Sequence, residues 1–226
     1  MEPLLYSLIA SSILLLGGFI STVLKISKSG VSFMQHFAAG VIFAAVSVEL
    51  IPILLKSHQK LDIVIGFLLG VGAMLLIRTL GQKYETTPIG MITGIGVDLW
   101  IDGILIGLSF IAAKESGIII TTALCIEVAF LGMALLPTMK NKGISLGIRV
   151  LTILGLALLL PFGTATGLEV IHNLPETFFE GTLAFGVAAL LYLVTEELLF
   201  EAHQEVDSVF GSAAFFIGFL IILLIH

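Results

Sequence analysis

The sequence predicts an all-α polytopic membrane protein with eight transmembrane helices. Three observations carry that expectation. Hydrophobic residues make up 58% of the chain and charged residues 12%, against about 25% charge in a soluble domain, so the chain cannot clothe a surface in water. Its 226 residues divide into apolar runs near 4–24, 33–55, 62–80, 88–113, 117–139, 143–165, 179–200 and 208–226, each close to the roughly 20 residues a spanning helix needs. The polar residues and turn formers collect at the joints. Together these predict one transmembrane domain, 1–226, with little outside the lipid.

The first run lacks a basic leader and a small-residue cleavage site, and reads as a retained span. It ends at Lys25-Ile-Ser-Lys28-Ser-Gly30. The second run carries Glu49 and ends at Lys56-Ser-His58-Gln-Lys60; the third ends at Gly81-Gln-Lys83-Tyr-Glu85. The fourth opens at Pro88, holds Asp98 and Asp102, and stops at Lys114-Glu-Ser-Gly117. The fifth holds Cys125 and Glu127 and ends at Lys140-Asn-Lys142-Gly143. After the sixth, residues 166–180 read as a loop or a short interfacial helix. The seventh holds Glu196 and Glu197, and Glu201, His203, Glu205 and Asp207 form a polar loop before the eighth. His36 and His58 read as interfacial. With the N-terminus outside, the inner ends hold Lys25, Lys28, Arg78, Lys83, Lys140, Lys142 and Arg149, and the outer ends hold Lys56, Lys60 and Lys114. That bias predicts both termini outside, in an integral protein of the cell (inner) membrane.

Several function classes fall away. A net charge of −6 argues against a nucleic-acid partner. Cys125 is the one cysteine, so an internal disulfide and a cysteine-only metal cage are excluded. No Gly-rich phosphate loop ending in Lys-Ser/Thr is present, which argues against ATP-driven transport within this chain. Gly66/Gly70, Gly90/Gly94, Gly103/Gly107 and Gly163/Gly167 stand at the spacing that lets helices approach closely in lipid.

The sequence also hints at an inverted repeat. Gly40 through Glu49 in the second span is similar to Gly186 through Glu196 in the seventh, and each stretch is followed by His-Gln (His58-Gln59, His203-Gln204). The antiparallel fourth and fifth spans each carry an acid five residues before a glycine: Asp98 before Gly103, Glu127 before Gly132. Transporters are often built this way, with a site near the midplane.

The acids themselves are the chemical signal. Each ionised acid at the bilayer centre costs about 2.5–3.5 kcal/mol, so Glu49, Asp98, Asp102 and Glu127 together cost roughly 10–14 kcal/mol if uncompensated. No Lys or Arg sits at their depth, so protons or a bound cation must neutralise them. Asp98 and Asp102, four residues apart, share one helical face. Asp98 stands about 15 Å of helix from Pro88, and Glu127 about 15 Å from Gly117; in a core about 30 Å thick both reach the middle. Converging carboxylates make an oxygen-rich cation cage.

These residues resemble the ZIP (zinc/iron-regulated transporter-like) family of divalent metal transporters along the whole chain. Val97-Asp98-Leu-Trp-Ile-Asp102-Gly103 is similar to the family's fourth-span His-Asn-x-Pro-Glu-Gly signature, with Asp98 at the His position and Asp102 at the Glu position. Glu127 matches the first ligand position of the fifth-span signature. Tyr192-Leu-Val-Thr-Glu196-Glu197-Leu198 with Glu201-Ala-His203 resembles the seventh-span exit segment, and Val48-Glu49-Leu-Ile-Pro52 the second-span element. Leu99, Val128 and Leu131 replace further family ligands, so the resemblance implies one metal site where the family has two. The family's His-rich loop between spans three and four is reduced to 81–87. His172-Asn-Leu-Pro-Glu176 reproduces most of the signature but lies in the outer segment and reads as a decoy.

The expected function is therefore divalent metal transport (Zn²⁺, Mn²⁺, Fe²⁺ or Cd²⁺) toward the cytoplasm. Asp98, Asp102 and Glu127 form the transport site, Glu49 lines the outer approach, and Glu196 and Glu197 line the inner exit. Metal is the substrate, and no catalytic cofactor is expected. An all-carboxylate cage favours Mn²⁺ or Fe²⁺ relative to Zn²⁺. The expected partners are the lipid bilayer and a second copy in a homodimer. A proton- or sodium-coupled carrier of another small solute would use the same acids. An aspartyl protease, hinted at by Gly94-Ile-Gly96-Val-Asp98, needs its dyad on facing helices, whereas both aspartates share one; no enzyme is expected.

Overall fold

In lipid every backbone N–H and C=O must be satisfied within the chain, which leaves helices or closed barrels. The computed structural model takes the helical solution, with no strand among the described residues: 1–24, 27–82, 88–173, 175, 178–204 and 209–225. The helices are α1 (Glu2–Val23), α2 (Lys28–Ala45), α3 (Ile51–Lys56), α4 (Lys60–Gln82), α5 (Pro88–Ala112), α6 (Lys114–Asn141), α7 (Leu146–Ala157), α8 (Leu159–Asn173), α9 (Phe179–Tyr192), α10 (Leu199–Gln204) and α11 (Val209–Ile225). A π-helical turn, Val46–Leu50, joins α2 to α3, and another, Leu193–Leu198, joins α9 to α10.

Seven helical stretches are long and apolar enough to cross a membrane. The eighth expected run forms α11, whose 17 described residues extend about 25 Å at 1.5 Å per residue. Residues 166–173 differ from the loop or short interfacial helix expected of 166–180. Helix α8 continues to Asn173, so Leu146–Asn173 is one stretch of 28 residues rather than a span followed by a loop. Gly163 and Gly167 stay helical because they pack on the Trp100 and Ile104 carbonyls of α5, and the exposed Asn173 Nδ2 donates to the Glu169 carbonyl and Oε1, both at 2.9 Å, bracing the last turn. The joints at 28–30 and 114–117 are helical as well, because the backbone ladder is indifferent to side-chain polarity. Lys25, Lys83, Glu85, Glu176, Glu205 and Asp207 lie outside the described residues.

Prolines explain two irregularities. Pro161 has no N–H to offer the Ala157 carbonyl, and the helix breaks at Leu158, between α7 and α8. Ser11 Oγ, from α1, donates to that same carbonyl at 2.6 Å. Pro52 likewise leaves the Val48 carbonyl without its partner. The helix widens there, and Ile51 N–H reaches back five residues to the Val46 carbonyl. The second π turn closes in the same way, Leu199 N–H to the Val194 carbonyl, with no proline to force it.

The helices associate along seams of small residues. α1 packs on α6 and α5 on α8, while α2 packs on α11 and α4 on α9. At each seam a backbone presses on a glycine: a Cβ on Gly132 would strike the Leu14 carbonyl, on Gly103 the Leu160 carbonyl, on Gly40 the Phe215 carbonyl, and on Gly66 the Gly181 carbonyl. Gly163 and Gly167 return the contact on the Trp100 and Ile104 carbonyls. The predicted Gly66/Gly70, Gly103/Gly107 and Gly163/Gly167 pairs therefore all sit at helix crossings, whereas Gly94 meets nothing within 4 Å. Two groups result: α1, α5, α6, α7 and α8 form one, and α2, α4, α9, α10 and α11 the other, meeting mainly where α2 crosses α6.

Candidate metal centre

Asp98 and Asp102 are one helical turn apart on α5, and Glu127 lies at the middle of the 28-residue α6, joined to α5 through Ala113 alone. One carboxylate oxygen from each lies within 4.8 Å of the other two, the one such convergence of three His, Cys, Asp or Glu ligand atoms among the described residues. Asp102 is 1% exposed and Glu127 4%. Asp102 Oδ2 and Glu127 Oε2 are sealed from solvent with no hydrogen-bond partner. Leu99 and Val128, beside the acids in sequence, are fully buried. Among the described residues no imidazole or thiol enters the cluster, so its donors are oxygen only.

The electrostatics demand a counter-charge. Two unit charges 4.8 Å apart repel by about 3.5 kcal/mol at an effective dielectric of about 20. Three such pairs cannot stand together bare. A divalent cation bridged by the three oxygens meets that demand, and so do protons.

A cavity of about 630 Å³ leads to the cluster, with Asp98 and Glu127 in its wall. It runs between the two helix groups, past the N-terminal part of α2, the first half of α5, the second half of α6 and residues 193–201. Its wall carries Glu196, Glu197 and Glu201 besides, against the cations Arg78 and Lys142. Arg78 pairs with Glu196 and lies 5.6 Å from the Phe200 ring centre. Glu201 accepts from Gln35 Nε2 at 2.6 Å. The mouth is thus acidic, and its one guanidinium is engaged.

Glu49 is placed elsewhere. It belongs to the first π turn, is 6% exposed, and accepts a hydrogen bond from Ser116 Oγ at 2.7 Å. Ser116 begins α6, whereas the cavity reaches the other end of that helix at Thr138 and Lys142. Glu49 is therefore packed in on the far side of the cluster. Each π turn carries acids, Glu49 in one and Glu196 and Glu197 in the other, one on either side of the centre.

Sequence reasoning overlooked three features. Ser116 read as part of a joint, yet it is buried against Glu49. Arg78 read as an orientation charge, yet it pairs with Glu196. His36 read as interfacial, yet it is 3% exposed; its position one turn after Ser32 and just before Ala38-Ala39-Gly40 marks the packed face of α2. His172 and Asn173 are exposed at the end of α8 and are not part of the cluster. Cys125 is half-buried and free. The chain matches no protein-family model and no curated protein.

Proposed function

We propose that this chain carries a divalent metal ion of the Zn²⁺, Mn²⁺ or Fe²⁺ class across the cell membrane toward the cytoplasm, as a divergent member of the ZIP family its sequence resembles. The observation that carries this reading is the meeting of Asp98, Asp102 and Glu127 at the end of an acidic cavity, with two carboxylate oxygens sealed and unpaired. A cation entering there replaces its hydration shell with carboxylate oxygens and lifts their mutual repulsion. The absence of nitrogen and sulfur donors makes the site hard and favours Mn²⁺ and Fe²⁺.

Alternating access accounts for the rest. With α11 as an eighth span and both termini outside, the cavity opens to the cytoplasm while Glu49 and Ser116 close the outer side. The helix pairings support an inverted repeat. Exchanging α5 with α6, α1 with α7–α8, and the α2–α3 helix with α9–α10 turns the α1–α6 seam into the α5–α8 seam. Exchanging α4 with α11 as well turns the α2–α11 seam into the α4–α9 seam. The acid-bearing π turns exchange too, so rocking one group against the other would open the Glu49 side and close the Glu196 side.

The test uses proteoliposomes loaded with a metal-sensitive dye. Mn²⁺, Fe²⁺ or Zn²⁺ enters vesicles carrying the wild-type chain and fails to enter with Asp102→Asn. Equal uptake by the two refutes the assignment. Thermal protection by Na⁺ or an organic solute, with none from divalent metals, would favour the ion-coupled carrier instead.

A further inference from the structure

Outside the carboxylate cluster, the described chain holds one buried imidazole that packing alone does not explain. His36 sits on α2 with its Nδ1 2.9 Å from the Ser32 carbonyl. A carbonyl oxygen only accepts, so Nδ1 carries the hydrogen and Nε2 keeps its lone pair. That Nε2 is sealed from solvent and has no partner. The ring is held firmly. A Cβ on Gly211 of α11 would lie 3.3 Å from its Cε1 and Nδ1, and Ser32 Oγ donates to the Ala202 carbonyl at 2.9 Å, tying α2 to α10.

The ring against it is another imidazole. His203 lies with its ring centre 5.0 Å from that of His36, at 63°. Its Nδ1 stands 2.5 Å from the Leu199 carbonyl, so this ring too donates from Nδ1 and leaves Nε2 as a bare acceptor. Two adjacent imidazoles, each oriented through Nδ1 by a backbone carbonyl, reproduce the support that metal-bound histidines receive from their surroundings. Their sequence neighbours Gln35 and Glu201 hydrogen-bond to each other and line the cavity that reaches Asp98 and Glu127.

We propose that His36 and His203 form a second metal site behind the cavity wall that Gln35 and Glu201 line, taking a borderline transition-metal ion through two Nε2 atoms. No third ligand atom converges on the pair among the described residues, so water completes the shell and the site suits passage rather than storage. Nitrogen donors exclude Mg²⁺ and Ca²⁺ and admit Zn²⁺, Co²⁺, Ni²⁺ and Cu²⁺. The site exists or fails independently of the carboxylate centre; only its use as a step on an exit path rests on the transport reading.

Electron paramagnetic resonance of bound Cu²⁺ tests this, because the carboxylate cluster holds no nitrogen. The probe is one equivalent of Cu²⁺ on the full chain in nanodiscs, without an affinity tag. The background carries His58→Gln, His172→Gln and His226→Gln. The expected result is ¹⁴N modulation from two imidazoles, reduced to one by His36→Gln or by His203→Gln and abolished by both. Affinity falls by at least about tenfold with either change. Asp102→Asn leaves the nitrogen signal intact. Because His203 is exposed, its variant remains informative if the buried His36→Gln folds poorly. Absence of nitrogen coupling in the background protein, or its persistence in the double variant, overturns the site. Equal metal uptake by wild type and Asp102→Asn, with the nitrogen signal unchanged, would strike the transport reading alone.

Discussion

Replacing Asp102 by Asn separates a cation site from a structural acid by the sign of its effect. The side chain is 1% exposed, and Asn preserves its shape while removing its charge. A carboxylate retained for structure would anchor a buried donor, and its loss would cost about 3–5 kcal/mol. Asp102 Oδ2 anchors nothing, and each ionised neighbour within 4.8 Å repels it by at least about 3.5 kcal/mol at an effective dielectric of about 20. Protons relieve part of that in the metal-free protein. The expectation is a metal-free Asn variant at least as stable as wild type, by about 1–3 kcal/mol on the scale of one intramembrane charge. Metal reverses the order. At a hundredfold excess over Kd, wild type gains about 2.7 kcal/mol, which moves the melting temperature by about 5–10 °C for a chain of this length. The variant gains under about 1 °C. The assay is thermal unfolding in detergent with and without Mn²⁺ and Zn²⁺. A metal-free variant destabilised by several kcal/mol, or one with the wild-type metal shift, refutes the reasoning.

Other expectations follow from the same geometry. Metal binding to carboxylates displaces protons, so apparent affinity falls as pH falls, by about tenfold per pH unit for each proton released; calorimetry in buffers of differing ionisation enthalpy counts them, and a pH-independent affinity contradicts the cluster. Gly103→Val, forced against the Leu160 carbonyl and Gly163, should lose about 1–3 kcal/mol or more, whereas Gly72→Ala, with nothing within 4 Å, should gain up to about 1 kcal/mol from helix propensity; denaturant unfolding in micelles compares them. Ser11→Ala orphans the Ala157 carbonyl and should cost about 1–3 kcal/mol. Adding Pro161→Ala restores a backbone donor and should recover most of that loss, so strict additivity in the double-variant cycle would disprove the link.

Much of this protein was legible in its residues. A chain with so little charge cannot end anywhere but in lipid, and lipid leaves helices as the open-chain solution, so fold class and most span positions follow from composition and run length. The fourfold spacing of Asp98 and Asp102 and the mid-span depth of Glu127 follow from helix geometry. The spacing of Gly103, Gly107, Gly163 and Gly167 announced a close crossing without saying which helix would meet which.

Tertiary structure decided the partners. Hydropathy contrast tells a soluble helix which face turns inward, but lipid tails are as apolar as a protein interior, so the pattern along α2 or α6 does not say what it faces. Glu49 could have joined Asp98 and Asp102; the crossing of α2 and α6 set it against Ser116 instead. Glu196 found Arg78 across 118 residues of chain, and His36 met His203 because α2 packs on α10 and α11. The π turn at 193–198 has no proline to announce it. Short-range geometry is written in the order of residues. Which side chains share a pocket depends on van der Waals fit between whole helix surfaces, and only the folded arrangement resolves it.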